Sequence, residues 1–280
     1  MKSSINLNSD TLSKISMHGG GAAANTATWL AFLGEKSHFA GRVGDDIAGT
    51  NIIRELETFG VHHNLNKLPN ETTGTVVVLV DEKGNRTMFP DSGANSGLSQ
   101  SDLPSLEGFD GAFLSGYSLF NPASSKQVQE IVSRIRELRI PIFLDIASIG
   151  TIEAFGREAA LKLLSSFDGL FLNDSEAEYV TGSDDREIQL STLNQWSELA
   201  VIKCGAAGAV AKVRDLPKVE RAAIPVTVKD TTGAGDAFAA GFLREWLDSH
   251  DLSTALASGI DVAAQCVATI GARPSVNPRE

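Results

Sequence analysis

Apolar residues fall into short runs that alternate with longer stretches where they recur every three or four positions, the texture of strands alternating with amphipathic helices. Ala22–Leu33 reads as an alanine-rich helix closed by Gly34, and His38–Ala40 as a short strand. Asp45 or Asp46 caps a helix with Ile47, Ile53, Leu56 and Phe59 on one face, closed by Gly60. Thr75–Val80 and Arg86–Phe89 flank Asp81-Glu82-Lys83-Gly84-Asn85, a β-hairpin signal. Ala112–Leu114 is a strand, and Pro122 occupies the first turn of a helix carrying Val128, Ile131, Val132, Ile135 and Leu138. Pro141–Leu144 is a strand ending in Asp145. Further on come a helix near Arg157–Leu164, a strand at Leu170–Leu172, and helices from Ser175 and over Glu187–Glu198. Ala200–Lys203, Ala209–Val213 and Ile224–Val228 read as strands, and helices over Ala234–Leu247 and Leu252–Thr269 close the series. Repeated strand–helix alternation implies a mostly parallel sheet with helices on both faces. The hairpin interrupts it and is too short for a core, so it is expected to be a lid or arm.

Composition narrows the class. A chain of 280 residues with 42% hydrophobic residues fits one large α/β domain. Cys204 and Cys266 are the only cysteines, which excludes a disulfide scaffold and a cysteine-rich zinc site and favours a reduced, cytoplasmic location. The net charge of −11 argues against nucleic-acid and anionic-membrane surfaces. The longest tight apolar run, Val76–Val80, is far short of the ~20 residues of a membrane helix.

The chemistry concentrates in glycine-rich segments. Asp230-Thr231-Thr232-Gly233-Ala234-Gly235-Asp236 follows one apolar run and precedes a helix of small residues. Such a turn leaves backbone N–H groups unpaired at the positive end of the helix dipole, which suits a phosphate. A carboxylate at Asp236 makes sense there if it accepts the proton of an attacking hydroxyl while the amides hold the transferred group. The helix N-terminus is expected to depress its pKa and make it a weak base. A capping Asp in a glycine-rich turn is the alternative.

Gly19-Gly20-Gly21-Ala22-Ala23-Ala24-Asn25 formally contains GxGxxA, but a dinucleotide site needs a hydrophobic strand before it, and Leu12–Met17 alternates as an exposed strand would. The other readings are a glycine turn presenting Asn25 to a polyhydroxy ligand, or a simple lead-in to an alanine helix. Gly41-Arg42-Val43-Gly44-Asp45-Asp46-Ile47-Ala48-Gly49 reads most simply as helix capping. Asn173-Asp174-Ser175-Glu176 lies just after a strand, where α/β sheets carry their sites, and either caps a helix or holds water and Mg²⁺. No GxxxxGK[ST] occurs, so a P-loop is excluded.

In order and spacing these segments resemble the PfkB/ribokinase family of ATP-dependent sugar and nucleoside kinases. The similarity runs from Gly19 to Ser275 and rests on Gly20-Gly21-x-x-x-Asn25 with Gly34, Gly41, Gly44-Asp45 and Gly49, on Asp230 to Asp236, and, between them, on Asn173-x-x-Glu176 and Lys203-Cys204-Gly205-Ala206-Ala207-Gly208. The resemblance implies a single ribokinase-like domain over 1–280, a three-layer α/β/α sandwich with a mostly parallel central sheet and a small β lid from segments 11–18 and 72–91. It implies Asp236 as general base and the amides of Gly233, Ala234 and Gly235 as the anion hole. It implies Asn173 and Glu176 acting on Mg²⁺ and phosphate through water, and Lys203, Gly205, Gly208 and Thr232 along the ATP. Gly20, Gly21, Asn25 and Asn95 would contact a sugar, or a nucleoside in a kinase of that branch.

Gly271-Ala272-Arg273-Pro274-Ser275 resembles the family's monovalent-cation loop, which implies a potassium site built from Asp230, Thr232, Cys266, Thr269, Gly271 and Ser275. A homodimer through the lid is a further implication. Two departures stand out. Met1 to His18 is too short and too polar to supply the hydrophobic first strand that relatives carry. Asp145-Ile146-Ala147-Ser148 replaces the Asp-Pro-Asn turn of many relatives. A weakened sugar- or nucleotide-binding protein is therefore a rival reading.

Overall fold

Short runs of β-branched and aromatic residues become central strands because both of their faces are covered, and the amphipathic stretches supply the cover. The computed structural model describes residues 6, 8–81 and 86–275. In chain order the elements are α1 (Ala22–Phe32), β1 (His38–Phe39), β2 (Val43–Gly44), α2 (Ile47–Thr58), β3 (His62–His63), β4 (Lys67–Leu68), β5 (Thr75–Val80) and β6 (Arg86–Asp91). Then come β7 (Ala112–Ser115), α3 (Gly116–Leu119), α4 (Ser125–Glu137), β8 (Ile142–Asp145), α5 (Ile149–Phe155), α6 (Arg157–Leu163), β9 (Gly169–Asn173), α7 (Asp174–Thr181) and α8 (Arg186–Trp196). The last are β10 (Leu199–Lys203), β11 (Ala209–Val213), β12 (Val219–Arg221), α9 (Ala234–Ser249) and α10 (Leu252–Val267).

The main sheet has the order β12-β11-β10-β9-β8-β7. β7 to β10 are parallel, and β11 and β12 add an antiparallel edge. Alternate residues of the central strands point to opposite faces. Ile142, Leu144, Leu170, Leu172, Ala200 and Ile202 pack with α4, α7 and α8 residues such as Ile131, Ala177 and Leu190. Phe143, Phe171, Val201 and Ala211 pack with Phe238, Phe242 and Trp246 of α9 and Leu256 of α10. This is the three-layer α/β/α sandwich. α1 lies against α9 through Trp29, Ala237 and Ala240, and that contact brings the amino-terminal glycine turn to the carboxyl ends of the strands.

The hairpin forms as β5 paired antiparallel with β6, from Thr75↔Asp91 to Val80↔Arg86. Its loop, 82–85, lies outside the described residues. Several expectations differ from the structure. Segment 11–18 is not a lid strand: it makes no ladder, and Leu12, Ile15 and Met17 stand exposed. Ile224–Val228 is likewise exposed and has no strand partner among the described residues, although its composition is that of a strand. Propensity without a facing partner does not make a ladder. Pro122 sits in a turn ahead of α4 rather than in its first turn, and Ser124 is the residue at the cap. Among the described residues β7 is the edge of the main sheet and no strand precedes α1; residues 1–5 lie outside them. Among the described residues no helix is long and apolar enough to cross a membrane.

Candidate active site

The site assembles where β8, β9 and β10 end and α9 begins. Gly233 caps α9 in the left-handed region with φ 77°, and a Cβ there would lie 2.5 Å from the Ala272 Cβ. Only glycine meets both conditions. Ala234 N–H leans on the Thr231 carbonyl at 3.3 Å. The Gly233 and Gly235 amides, among the described residues, have no backbone acceptor, as the first turn of a helix requires. Of the three amides assigned to the anion hole, that of Ala234 is thus already engaged.

Asp236 follows in the first turn of α9. Its Oδ2 accepts the Asn25 Nδ2–H at 2.8 Å, and its carbonyl accepts the Thr26 hydroxyl at 3.3 Å. Burial pushes its pKa up to about 7, against the Asn25 hydrogen bond that lowers it; the Asp145 carboxylate adds to the rise and Lys203 opposes it. This corrects the expectation that the helix N-terminus depresses the carboxyl. The reason is physical: loss of water raises a carboxyl more than one helix end lowers it. A base poised near neutrality is the stronger for it.

Lys203 leaves the end of β10 and forms a short ion pair with Asp145 at the end of β8, both nearly buried. Burial alone would lower the lysine pKa, but the Asp145 and Glu176 carboxylates beside it hold it above its ordinary value. A Cβ on Gly235 would lie 3.1 Å from Lys203 Nζ, so the ammonium stands over the anion-binding turn. Sequence reasoning marks Asp145 as a strand-end residue and the start of a divergent turn, and misses its role as the lysine's partner. A carboxylate at the carboxyl end of a buried parallel strand is the signal that could have found it.

Asn173 and Glu176 cap α7 reciprocally. Asn173 Oδ1 accepts the Glu176 N–H, and Glu176 Oε2 accepts the Asn173 N–H, each at 2.8 Å. Glu176 is 4% exposed, and burial raises its pKa although Lys203 pulls it down. Among the described residues no hydrogen bond engages its other carboxylate oxygen. No cage of three or more His, Cys, Asp or Glu is gathered among them either. That donor set fits Mg²⁺, which keeps its waters and shares substrate phosphates, better than an ion held by protein alone.

Asp230 accepts the Thr232 N–H and hydroxyl, the Gly271 N–H at 3.0 Å and the guanidinium of Arg86 from β6 at 2.9 Å. Burial opposes it, yet these partners hold its pKa below the ordinary value. The Cys266 thiol donates to the Thr232 carbonyl at 3.4 Å, and the Cys266 carbonyl accepts the Thr269 hydroxyl at 2.9 Å. Asp230, Thr232, Cys266, Thr269 and Gly271 are therefore one cluster rich in carbonyl and hydroxyl oxygens, which fits a monovalent cation. Ser275 stands exposed and, among the described residues, makes no hydrogen bond with it. The Arg86 contact, which ties the hairpin to this cluster, has no counterpart in the sequence reading.

The remaining assignments divide. Gly20 and Gly21 form the turn ahead of α1, where the Gly21 carbonyl accepts the Asn25 N–H at 2.8 Å. Gly205 and Gly208 bound the turn from β10 to β11, closed by Cys204 N–H to the Gly208 carbonyl at 2.8 Å. Asn95 sits in a 3₁₀ turn after β6 and accepts the Arg42 N–H at 3.2 Å; no hydrogen bond joins it to Asn25 or Asp236.

An anion-binding turn, a buried carboxylate and a lysine gathered at the strand ends of an α/β/α sandwich define a phosphoryl-transfer enzyme. The pfkB family carbohydrate kinase model matches residues 3–279, and the chain belongs to that family. It is 32% identical over 265 residues to a fructokinase of Klebsiella pneumoniae, covering 88% of this chain and 83% of that protein. The structure is similar to that of adenosine kinase from Sinorhizobium meliloti, with a TM-score of 0.83, 28% identity, and coverage of 92% of this chain and 80% of that one. It is also similar to fructokinase from Vibrio cholerae O395 in its fructose, ADP and calcium ion bound form, with a TM-score of 0.79, 26% identity, and coverage of 91% and 87%.

Proposed function

We propose that this protein transfers the γ-phosphate of MgATP to a hydroxymethyl group of a sugar, with Asp236 as general base. The observation that carries the reading is the Asn25–Asp236 pair. It joins a glycine turn suited to a polyhydroxy ligand with a carboxylate at the mouth of an anion-binding turn. The acceptor hydroxyl lies against Asp236 and gives up its proton there as the oxygen attacks. The Gly233 and Gly235 amides and Lys203 receive the charge of the transferred group. Mg²⁺, when bound through water to Glu176, neutralises phosphate charge. Asp230, Thr232, Cys266, Thr269 and Gly271 would hold K⁺ behind the turn and keep it ordered. Asn173, Gly205 and Gly208 lie on the nucleotide side of this reading, and Gly20, Gly21 and Asn25 on the sugar side. The hairpin, tied to Asp230 and Thr231 by Arg86, closes over the acceptor and keeps water out.

A nucleoside acceptor is the second reading, favoured by the likeness to an adenosine kinase. ADP release against a panel of sugars and nucleosides tests both. Release with a sugar supports the first, release with a nucleoside alone supports the second, and release with neither leaves a binding protein. The hairpin's exposed Val77 and Phe89 also suit a second copy of the chain; light scattering that shows only monomer would refute that pairing.

A further inference from the structure

Asn25 can steady the Asp236 carboxylate only if its amide points the right way round, because its two ends differ as donor and acceptor. What decides the orientation lies at the other end of the chain. Arg273, 6% exposed, reaches Asn25, itself 4% exposed, from the loop after α10. Its Nε–H donates to Asn25 Oδ1 at 3.2 Å and its Nη2–H to the Gly20 carbonyl at 3.0 Å, while Nη1 ion-pairs with Glu55 Oε2 at 2.9 Å. A guanidinium has donors and no acceptor. The Asn25 oxygen must therefore face Arg273, and its NH₂ must face Asp236, where Nδ2 lies 2.8 Å from Oδ2. A flipped amide would set N–H against N–H on one side and oxygen against carboxylate on the other.

We infer that Arg273 is a positioning residue: it fixes the Asn25 amide so that a donor always faces the Asp236 carboxylate, and it anchors the Gly20 carbonyl of the substrate turn in the same fork. The site is built around it. A Cβ on Gly19 would lie 2.6 Å from Arg273 Nη1, and the Trp29 indole holds the neighbouring Ala272 carbonyl at 2.9 Å. The other groups that face Asp236 are the Asp145–Lys203 pair from β8 and β10, Tyr117 from α3 and Cys266 from α10. None of them contacts Arg273 by hydrogen bond or ion pair, so a change at 273 reaches the carboxylate through Asn25.

The inference rests on the reading of Asp236 as the base, and the experiment separates the two. Asp236 is titrated in the full chain by carboxyl ¹³C NMR in the wild type, Arg273→Met and Arg273→Lys, and ADP release is followed against pH with the best acceptor. Arg273→Met should raise the Asp236 midpoint by about one unit, the worth of one hydrogen bond to a charged group. Its kcat should fall about tenfold more near pH 6 than near pH 9, with KM for ATP unmoved. Arg273→Lys keeps the charge and a donor without the fork, so it should shift the midpoint about half as far; it decides the matter alone if the methionine variant does not fold. Midpoints within about 0.2 units of wild type in the folded variants, with any loss of kcat uniform across pH, would overturn the positioning role and leave a structural staple. A shifted midpoint in a chain that releases ADP with no acceptor would sink the kinase reading and leave the positioning role standing.

Discussion

Replacing Asp236 by Asn should destroy turnover and stabilise the fold, and both magnitudes follow from the environment of one carboxyl. The amide introduced by Asp236→Asn keeps an oxygen for the Asn25 N–H, which Oδ2 of Asp236 accepts at 2.8 Å in the wild type, but it cannot take a proton. Turnover should fall by about 10²–10⁴, the range for loss of a general base. The stability effect runs the other way. The carboxyl's pKa is raised from 3.8 to about 7, so the folded state prefers the neutral form more than the unfolded state does. A group with a raised pKa contributes stability at low pH that is lost as pH rises through its folded value. Above pH 7 the wild type holds a buried charge that the amide variant lacks. A rise of about 3 units at ~1.4 kcal/mol each gives about 4 kcal/mol, and partial access of water to the site reduces this to roughly 2–4 kcal/mol. At about 2 °C per kcal/mol for a chain of this size, Tm at pH 8 should rise by roughly 4–8 °C. Thermal melts of both proteins between pH 5 and 8, beside ADP-release assays, test this. The gap in Tm should narrow steadily as pH falls below the folded midpoint of about 7 and close only near 3.8, where the unfolded chain's carboxyl is protonated too. Wild-type-like turnover in the variant would refute the base, and an unchanged or lower Tm at pH 8 would refute the argument from burial.

Other outcomes follow from neighbouring contacts. Lys203→Met leaves Asp145 buried without its partner and should cost about 3–5 kcal/mol of stability, read by urea unfolding, along with a raised KM for ATP. Gly233→Ala puts a methyl group against Ala272 at a φ of 77°. It should lower stability by at least about 1–3 kcal/mol and abolish measurable ADP release even where the variant folds. Potassium should stimulate ADP release relative to tetramethylammonium, because the oxygens of the Asp230–Cys266–Thr269 cluster suit a small cation; equal rates in the two salts would remove that site.

Much of the architecture is legible in the sequence because it is a local matter. Periodicity marks the central strands, β7 to β11, since each is a short apolar run bounded by turn residues, and the Asn173–Glu176 spacing announces a cap that the structure forms. Where the reading errs, the missing information is a partner in space. Val226 and Val228 look like strand residues, yet no described strand lies alongside to take their backbone bonds, and both stay exposed. Leu12, Ile15 and Met17 alternate with polar residues in the same way and meet the same outcome.

The glycine turns, the carboxylate after them and the acidic, cysteine-poor composition are properties of the sequence by itself. They are enough to indicate an anion-binding helix start and a proton acceptor, because backbone freedom and side-chain chemistry travel with the residue. The sign of the Asp236 pKa shift is not among them. A helix end is visible in the sequence, but the burial that raises the carboxyl, and the opposing pulls of Asn25, Asp145 and Lys203 beside it, come from elements far apart in the chain, and only tertiary packing brings them together. The Arg273–Asn25 contact spans 248 positions, and a hydrogen bond between residues so distant is written by the fold, not by any local pattern.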